Sequence, residues 1–171
     1  IEAHADVANH YSSRQQWAEA EALLTPLLQR WETLDLPLNS HFANDLVQYG
    51  YALMGLGRHA EAQRALERSL ALRKEIFTAP HDRIANSHSA LGMLAIQQGD
   101  FEASIAHRRA SLSMRESLFV DPHPLLVITR VQLGGSYLAA RKFDAARTQA
   151  ERAASNCAMP GFSHPYCTQT D

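Results

Sequence analysis

Leu72-Arg73-Lys74-Glu75-Ile76-Phe77 and Met114-Arg115-Glu116-Ser117-Leu118-Phe119 are one phrase written twice, 42 residues apart. The same offset carries Pro80-His81 onto Pro122-His123, and Gly50 onto Gly92 and Gly134. It carries Tyr49 onto Leu91 and Leu133, and Trp17 onto His59, Phe101 and Phe143. Gly57 and Gly99 stand two residues before that last position, with Gln15 and Arg141 in their place in the outer units. Ala20, Ala62, Ser104 and Ala146 follow it by three. So many coincidences at one spacing define a structural repeat, and a repeat period fixes the architecture before any local propensity is weighed.

Within each unit the apolar spacing is helical. Ile84, Leu91, Leu94 and Ala95 share one face, and Phe101, Ile105, Leu112 and Leu118 share another. Gly99 suits the left-handed residue that closes a helix, and Asp100 suits the cap that opens the next. Proline in Val120-Asp121-Pro122-His123-Pro124 stops the second helix, because it lacks an N–H and restricts its predecessor. Gly50, Gly92 and Gly134 fall mid-helix, which is explained if a partner helix passes close there. The expected pairs are 2–14 with 17–33, 40–56 with 59–77, 83–98 with 101–119, and 124–140 with 143–156. Pro26 should kink the first pair's second helix or delay its start. No alternating run competes as a strand. The fold class is therefore all-α: a right-handed superhelical array of antiparallel helix pairs, with units at about 1–38, 39–80, 81–122 and 123–160. A further unit starts at 161–171, where Phe162-Ser163-His164-Pro165-Tyr166 resembles the connector. The chain starts without Met and stops inside that unit, so it reads as a fragment of a longer protein.

Bulk composition excludes several function classes. Hydrophobic residues make up 46% and charged residues 20%, which fits a folded domain and not a disordered one. A net charge of −2 supplies no field to attract nucleic acid or an anionic membrane. No apolar run approaches the roughly 18 residues of a membrane span, and no signal-peptide pattern opens the chain. Cytoplasmic location is the expectation. Arginine far outnumbers lysine, since only Lys74 and Lys142 are lysines, which points to a GC-rich bacterial genome. Cys157 and Cys167 are the only cysteines. They read as free thiols in a reducing compartment, with a local bridge the less favoured alternative.

The Leu91-Gly92, Phe101 and Ser104 set, repeated as Leu133-Gly134, Phe143 and Ala146, resembles the tetratricopeptide repeat. The 42-residue length and the His-Pro connector resemble its kinesin-light-chain subtype. That resemblance implies an α-solenoid whose first helices line a concave groove, with a protein or peptide as partner. Where the subtype carries paired asparagines, this chain has Val47-Gln48, Ser89-Ala90 and Val131-Gln132. No Lys/Arg set on the first helices matches the carboxylate clamp of chaperone-binding relatives.

By register, the groove presents Asn44, Gln48, Tyr51 and Met54 in the second unit, and Asn86, Ser89, Met93 and Gln97 in the third. The fourth adds Ile128, Gln132 and Gly135, and the first Glu2, Asp6 and Asn9. Amides bond a peptide backbone and methionine adapts to irregular partners. Asn44, Tyr51, Asn86 and Met93 are the expected centre.

Candidates for chemistry fare poorly. Nine histidines contain no helical pair flanking a carboxylate base. His81 and His123 repeat with the connector and read as capping or packing residues. His59 takes an aromatic packing position, and His88 and His107 fall on helices without evident partners. Cys157, His164 and Cys167 match no zinc spacing, nothing arranges a nucleophile with an orienting group, and Gly134-Gly135 is not a phosphate loop. Arg64, Arg68, Arg73 and Lys74 on one helix, and Arg108, Arg109 and Arg115 on the next, are interleaved with glutamates and read as mostly solvated. The expectation is a non-enzymatic interaction module of a bacterial signalling or regulatory protein, without cofactor or metal. Self-association through repeat ends and effector-peptide sensing are the alternatives.

Overall fold

The computed structural model describes residues 3–33, 39–159, 161–163 and 165–167. Among them it has eight α-helices and no strand. The helices are α1 (Ala3–Ser13), α2 (Trp17–Thr33), α3 (Ser40–Gly55), α4 (His59–Ile76), α5 (Asp82–Gln97), α6 (Phe101–Leu118), α7 (Pro124–Ala139) and α8 (Phe143–Cys157). A single 3-10 turn follows at Pro165–Cys167. The observed bounds stay within a residue or two of those the repeat predicts. The chain forms two compact units, Ile1–Ala79 and Pro80–Asp171. In the first, α1 packs on α2 and α3, α2 on α3, and α3 on α4. In the second, α5 packs on α6 and α7, α6 on α7, and α7 on α8.

The turn inside each pair is built four times from one recipe. Gln15, Gly57, Gly99 and Arg141 all have positive φ, between 58° and 76°. The next residue donates its N–H five residues back: Gln16 to Tyr11, Arg58 to Leu53, Asp100 to Ala95 and Lys142 to Tyr137, at 2.8–2.9 Å. This left-handed closure satisfies carbonyls that the helix end would orphan. The register enforces it even where the residue is not glycine. The other end of the repeat is capped in register too. Asn39, His81 and His123 each precede a first helix, and each side chain accepts a backbone N–H from two residues on. His123 also stacks on Phe119, with ring centroids 4.0 Å apart. Asp100 caps α6 by accepting the N–H of Ala103 at 2.9 Å.

Close packing of the helices in a pair explains two of the three recurring glycines. A β-carbon on Gly50 would sit 2.6 Å from Leu66 Cδ2, and one on Gly92 would sit 2.8 Å from Arg108 Cγ. At Gly134 the nearest atom would be 3.7 Å away, an ordinary contact, so sterics do not demand glycine there. Ser104 lies against Gly92 and Ala146 against Gly134, and both are buried, as are Ala20 and Ala62 at the same repeat position. Each unit has its own core. Leu28, Leu46 and Ala65 cluster with Phe42, Tyr49 and Leu72 in the first, and Ile105, Leu112, Leu126 and Leu133 with Phe119 and Tyr137 in the second. Each such leucine contributes roughly 1.5–3 kcal/mol by leaving water.

Pro26 does not delay α2, which begins at Trp17 and runs through the proline. Pro26 and Ala22 are both exposed, so the carbonyl freed by the missing N–H faces water.

Candidate partner-binding site

In the first unit the inner helix α3 is largely closed. Asn44 is half-buried, and its Oδ1 accepts a 2.6 Å hydrogen bond from Arg73 Nη2 of α4. Gln48 is half-buried, with its side-chain oxygen out of solvent and without a hydrogen-bond partner. Tyr51 is half-buried, whereas Met54 at 5% exposure belongs to the core together with Val47 at 2%. Asp6 and Asn9 on α1 are exposed, and Glu2 lies outside the described residues.

The second unit is more open. Asn86, Met93 and Gln97 are exposed along α5. Ser89 is half-buried with its hydroxyl 2.8 Å from that of Ser111 on α6. On α7, Ile128 is half-buried and Gly135 exposed, while Gln132 repeats the arrangement of Gln48, its oxygen buried without a partner. Two further inner-face residues were not singled out by the sequence reading: Val131 is 40% exposed and Leu138 56%. Their counterparts two repeats earlier are the buried Val47 and Met54, so register alone does not reveal the difference.

The arginines depart from the expected solvated face. Arg64, Arg68, Arg109 and Lys74 are exposed, but Arg73, Arg108 and Arg115 are buried. Burial of a guanidinium is tolerated where acceptors meet it. Arg115 Nε donates to Asp82 at 2.8 Å and Nη1 to Thr129 at 2.6 Å, tying α6 to α5 and α7. Trp31, in the equivalent position of the first unit, donates Nε1 to the buried Asp45 at 3.0 Å. Arg108 lies over Gly92, at the position where the earlier repeat has Leu66. Arg130 is also buried; it grips Asp121 with both terminal nitrogens, at 2.7 and 2.8 Å, and reaches Glu116 at 3.1 Å. Hydrogen bonds from Arg130, then one from Asn156, hold the Asp121 carboxyl below its ordinary range, and the same pairing raises Arg130. These residues border a cleft of about 420 Å³ with Thr148, Glu151 and Arg152. A cleft of about 470 Å³ between α2 and α4 in the first unit is floored by Leu28, Leu46 and Tyr49 and rimmed by Glu32, Arg64 and Arg68.

Two further expectations need correcting. His88 and His107 are partners of each other, with Nδ1 atoms 3.1 Å apart across α5 and α6. Periodicity put each on its helix but not the two faces together. Cys157 and Cys167 form a disulfide, because the turn through Gly161 brings their Cα atoms to 5.3 Å. His164 lies outside the described residues. Among the described residues, no three His, Cys, Asp or Glu side chains are grouped to hold a metal ion, and no helix is long and apolar enough to cross a membrane.

Stacked helix pairs with left-handed closures and small-residue contacts define a helical repeat scaffold. A sequence model of the tetratricopeptide repeat matches residues 42–117 and 83–157, and the chain belongs to that family. No curated protein matches the sequence. Solved structures place its fold with the kinesin-light-chain-like type. Kinesin light chain TPR-like repeats of Podosopora anserina superpose with a TM-score of 0.83 at 17% identity, over 96% of this chain and 79% of theirs. BtubC (BKLC) of P. vanneervenii gives 0.84 at 21%, over 94% of this chain and 65% of that one. A Rap protein complexed with Competence and Sporulation Factor gives 0.80 at 16%, over 91% and 42%. This is an α-solenoid fold of the kind that serves as a protein–protein interaction module.

Proposed function

We propose that the chain binds a protein or peptide segment along its inner helices, as a module of a cytoplasmic bacterial signalling or regulatory protein. The observation that carries this reading is α5, where Asn86, Met93 and Gln97 stand exposed along one helix with no charge among them. Exposed amides offer donors and acceptors to a backbone, and methionine fits irregular side chains. Similarity to a Rap protein solved with a factor bound supports a peptide as the partner class. It also supports the narrower form of the reading, effector-peptide sensing. The proposal takes the 42-residue units as one array serving one partner. A net charge of −2 disfavours nucleic acid.

One observation favours self-association instead: Phe143, in the register of the half-buried Trp17, is 57% exposed at the start of α8. A lysate pull-down with the wild type and a Tyr51→Ala/Asn86→Ala double variant as parallel baits tests the reading. A protein kept by the first and lost by the second supports inner-helix binding. One kept by both moves binding to the outer helices. A bait that captures nothing and sediments as a dimer supports self-association.

A further inference from the structure

Cys157 and Cys167 join two places that the repeat brings together elsewhere without a covalent bond. Cys157 ends α8, three periods of 42 residues after Trp31. In sequence, Cys167 stands three residues after His164, as Phe42 stands three after Asn39 and Leu126 three after His123. The first unit closes this pair of positions with a ring stack, Trp31 on Phe42, with centroids 5.8 Å apart. Past α8, Gly161 turns the chain at a φ of 80°, and a disulfide takes the place of the stack. The disulfide thus adds a chemical state to a join that side-chain packing can make alone. Its placement makes that state changeable. Both cysteines are half-buried, so a thiolate can reach the sulfurs from solvent. The bond lies outside the second unit's core of Ile105, Leu112, Leu126 and Leu133, and it links residues only 10 apart in sequence. A solenoid unit contacts only its neighbours, so opening there stays local.

We propose that Cys157 and Cys167 form a reversible thiol–disulfide exchange site, which reacts with small thiols or their disulfides and latches the Pro165–Cys167 turn to the end of α8. In the opening direction a thiolate attacks one cysteine sulfur. The Sγ–Sγ bond breaks, a mixed disulfide forms, and the other cysteine leaves as a thiolate that takes up a proton. A second thiolate then attacks the reagent's sulfur in the mixed disulfide and releases the first cysteine, which is protonated in turn. The chain ends with two thiols and the reagent as a disulfide, so two electrons pass to the protein. Closure is the reverse, and it reduces a small disulfide to two thiols. The site is separate from the inner helices, and its test needs no partner protein.

The full chain is equilibrated in buffers spanning reduced to oxidised glutathione, quenched with acid, then denatured and labelled with a polyethylene-glycol maleimide. With two cysteines in the chain, one transition between no label and two labels is expected. It is reached alike from the reduced and the oxidised side, with helical circular dichroism unchanged. In the reduced form, hydrogen exchange through 158–167 rises by roughly tenfold to a hundredfold, the release of a loop closure of this length. The helices α5, α6 and α7 keep their protection. A Cys157→Ser/Cys167→Ser double variant exchanges like the reduced wild type in every buffer, which ties the change to the bond and not to the reagent. Two labels in every buffer overturn the proposal, because the bond then does not form. A folded chain that glutathione never reduces, or one that loses its helices on reduction, overturns it as well, because the bond is then a staple of the fold. So does equal exchange in the oxidised and reduced forms, or a double variant that exchanges like the oxidised wild type, because the bond then latches nothing.

Discussion

The two compact units share one repeat register and spend it differently. The first closes its inner helix: Val47 and Met54 are buried, and Asn44 is held by Arg73. The second exposes the same positions as Val131 and Leu138 and ties its helices together with buried arginines. At matching positions, Trp31 reaches Asp45 in the first unit while Arg115 reaches Thr129 in the second. The backbone recipe is common to both, and the side chains placed on it decide which face is sealed and which is offered. In a solenoid each unit is stabilised mainly by its neighbours, so such differences are local and separable by mutation.

The largest effect is expected at Arg130. Arg130→Ala removes a buried stem and leaves Asp121 and Glu116 without their shared donor, with only the Asn156 amide still donating to Asp121. A loss of roughly 3 kcal/mol is expected, with cavity and hydrogen-bond losses combined, read by urea denaturation. The acid limb provides a second check. The folded-state pKa of Asp121 lies below its ordinary 3.8, so its contribution is present above that value and lost as pH falls through the folded-state value. Asp121→Asn should therefore destabilise at neutral pH and converge on the wild type in acid. If the two stay equally far apart at every pH, the Arg130 pairing does not stabilise the unit.

Gly50→Ala probes the first unit's sealed packing. The new methyl meets Leu66 at 2.6 Å, so the pair must spread or Leu66 must turn. Overpacking of this kind costs roughly 1–3 kcal/mol. The same change at Gly135, on the open face, should raise stability by about 1 kcal/mol. Thermal unfolding of the two variants gives opposite signs if the units differ as described. Equal signs would erase the contrast between them.

Trp31→Phe sharpens the comparison of the two ties. It keeps an aromatic ring against Phe42 and removes the indole N–H donor to the buried Asp45, along with part of the indole's bulk. A loss of about 1–2 kcal/mol is expected, because a buried carboxylate forfeits a hydrogen bond. No measurable loss would mean that ring packing, rather than the hydrogen bond, closes the first unit.

Sequence periodicity carried the backbone and stopped at the side chains. The 42-residue series located the helix ends, the left-handed residues at Gly57 and Gly99 and the caps at His81 and His123, because these follow from short-range rules. Burial of Arg73 and Arg115 depends on acceptors 29 and 33 residues away, Asn44 and Asp82, which periodicity cannot pair. A signal existed for two others: Arg108 falls in the register of Leu66, and Arg130 in that of Leu46, so each is a charge at a core position. The openness of α7 had no such signal. Val131 and Leu138 look like Val47 and Met54, and their exposure depends on neighbouring helices.

The smallest expected effect lies in the closures. Gly99 and Arg141 occupy the same turn position in the second unit, with φ of 76° and 58°. An L-residue in the left-handed region carries a penalty of roughly 1–2 kcal/mol that glycine avoids. Glycine also has more freedom to lose on folding, which offsets part of this. Gly99→Ala should therefore lower the unfolding free energy by about 1 kcal/mol, and Arg141→Gly should raise it by a little less. The 2.8 Å bond from Lys142 N–H to the Tyr137 carbonyl already holds the arginine turn in place, as the Asp100 to Ala95 bond at 2.9 Å holds the glycine one. Reciprocal shifts in thermal midpoint would show that the repeat imposes the left-handed turn on whatever residue stands there. A stabilising Gly99→Ala would mean instead that the turn relaxes to suit its residue.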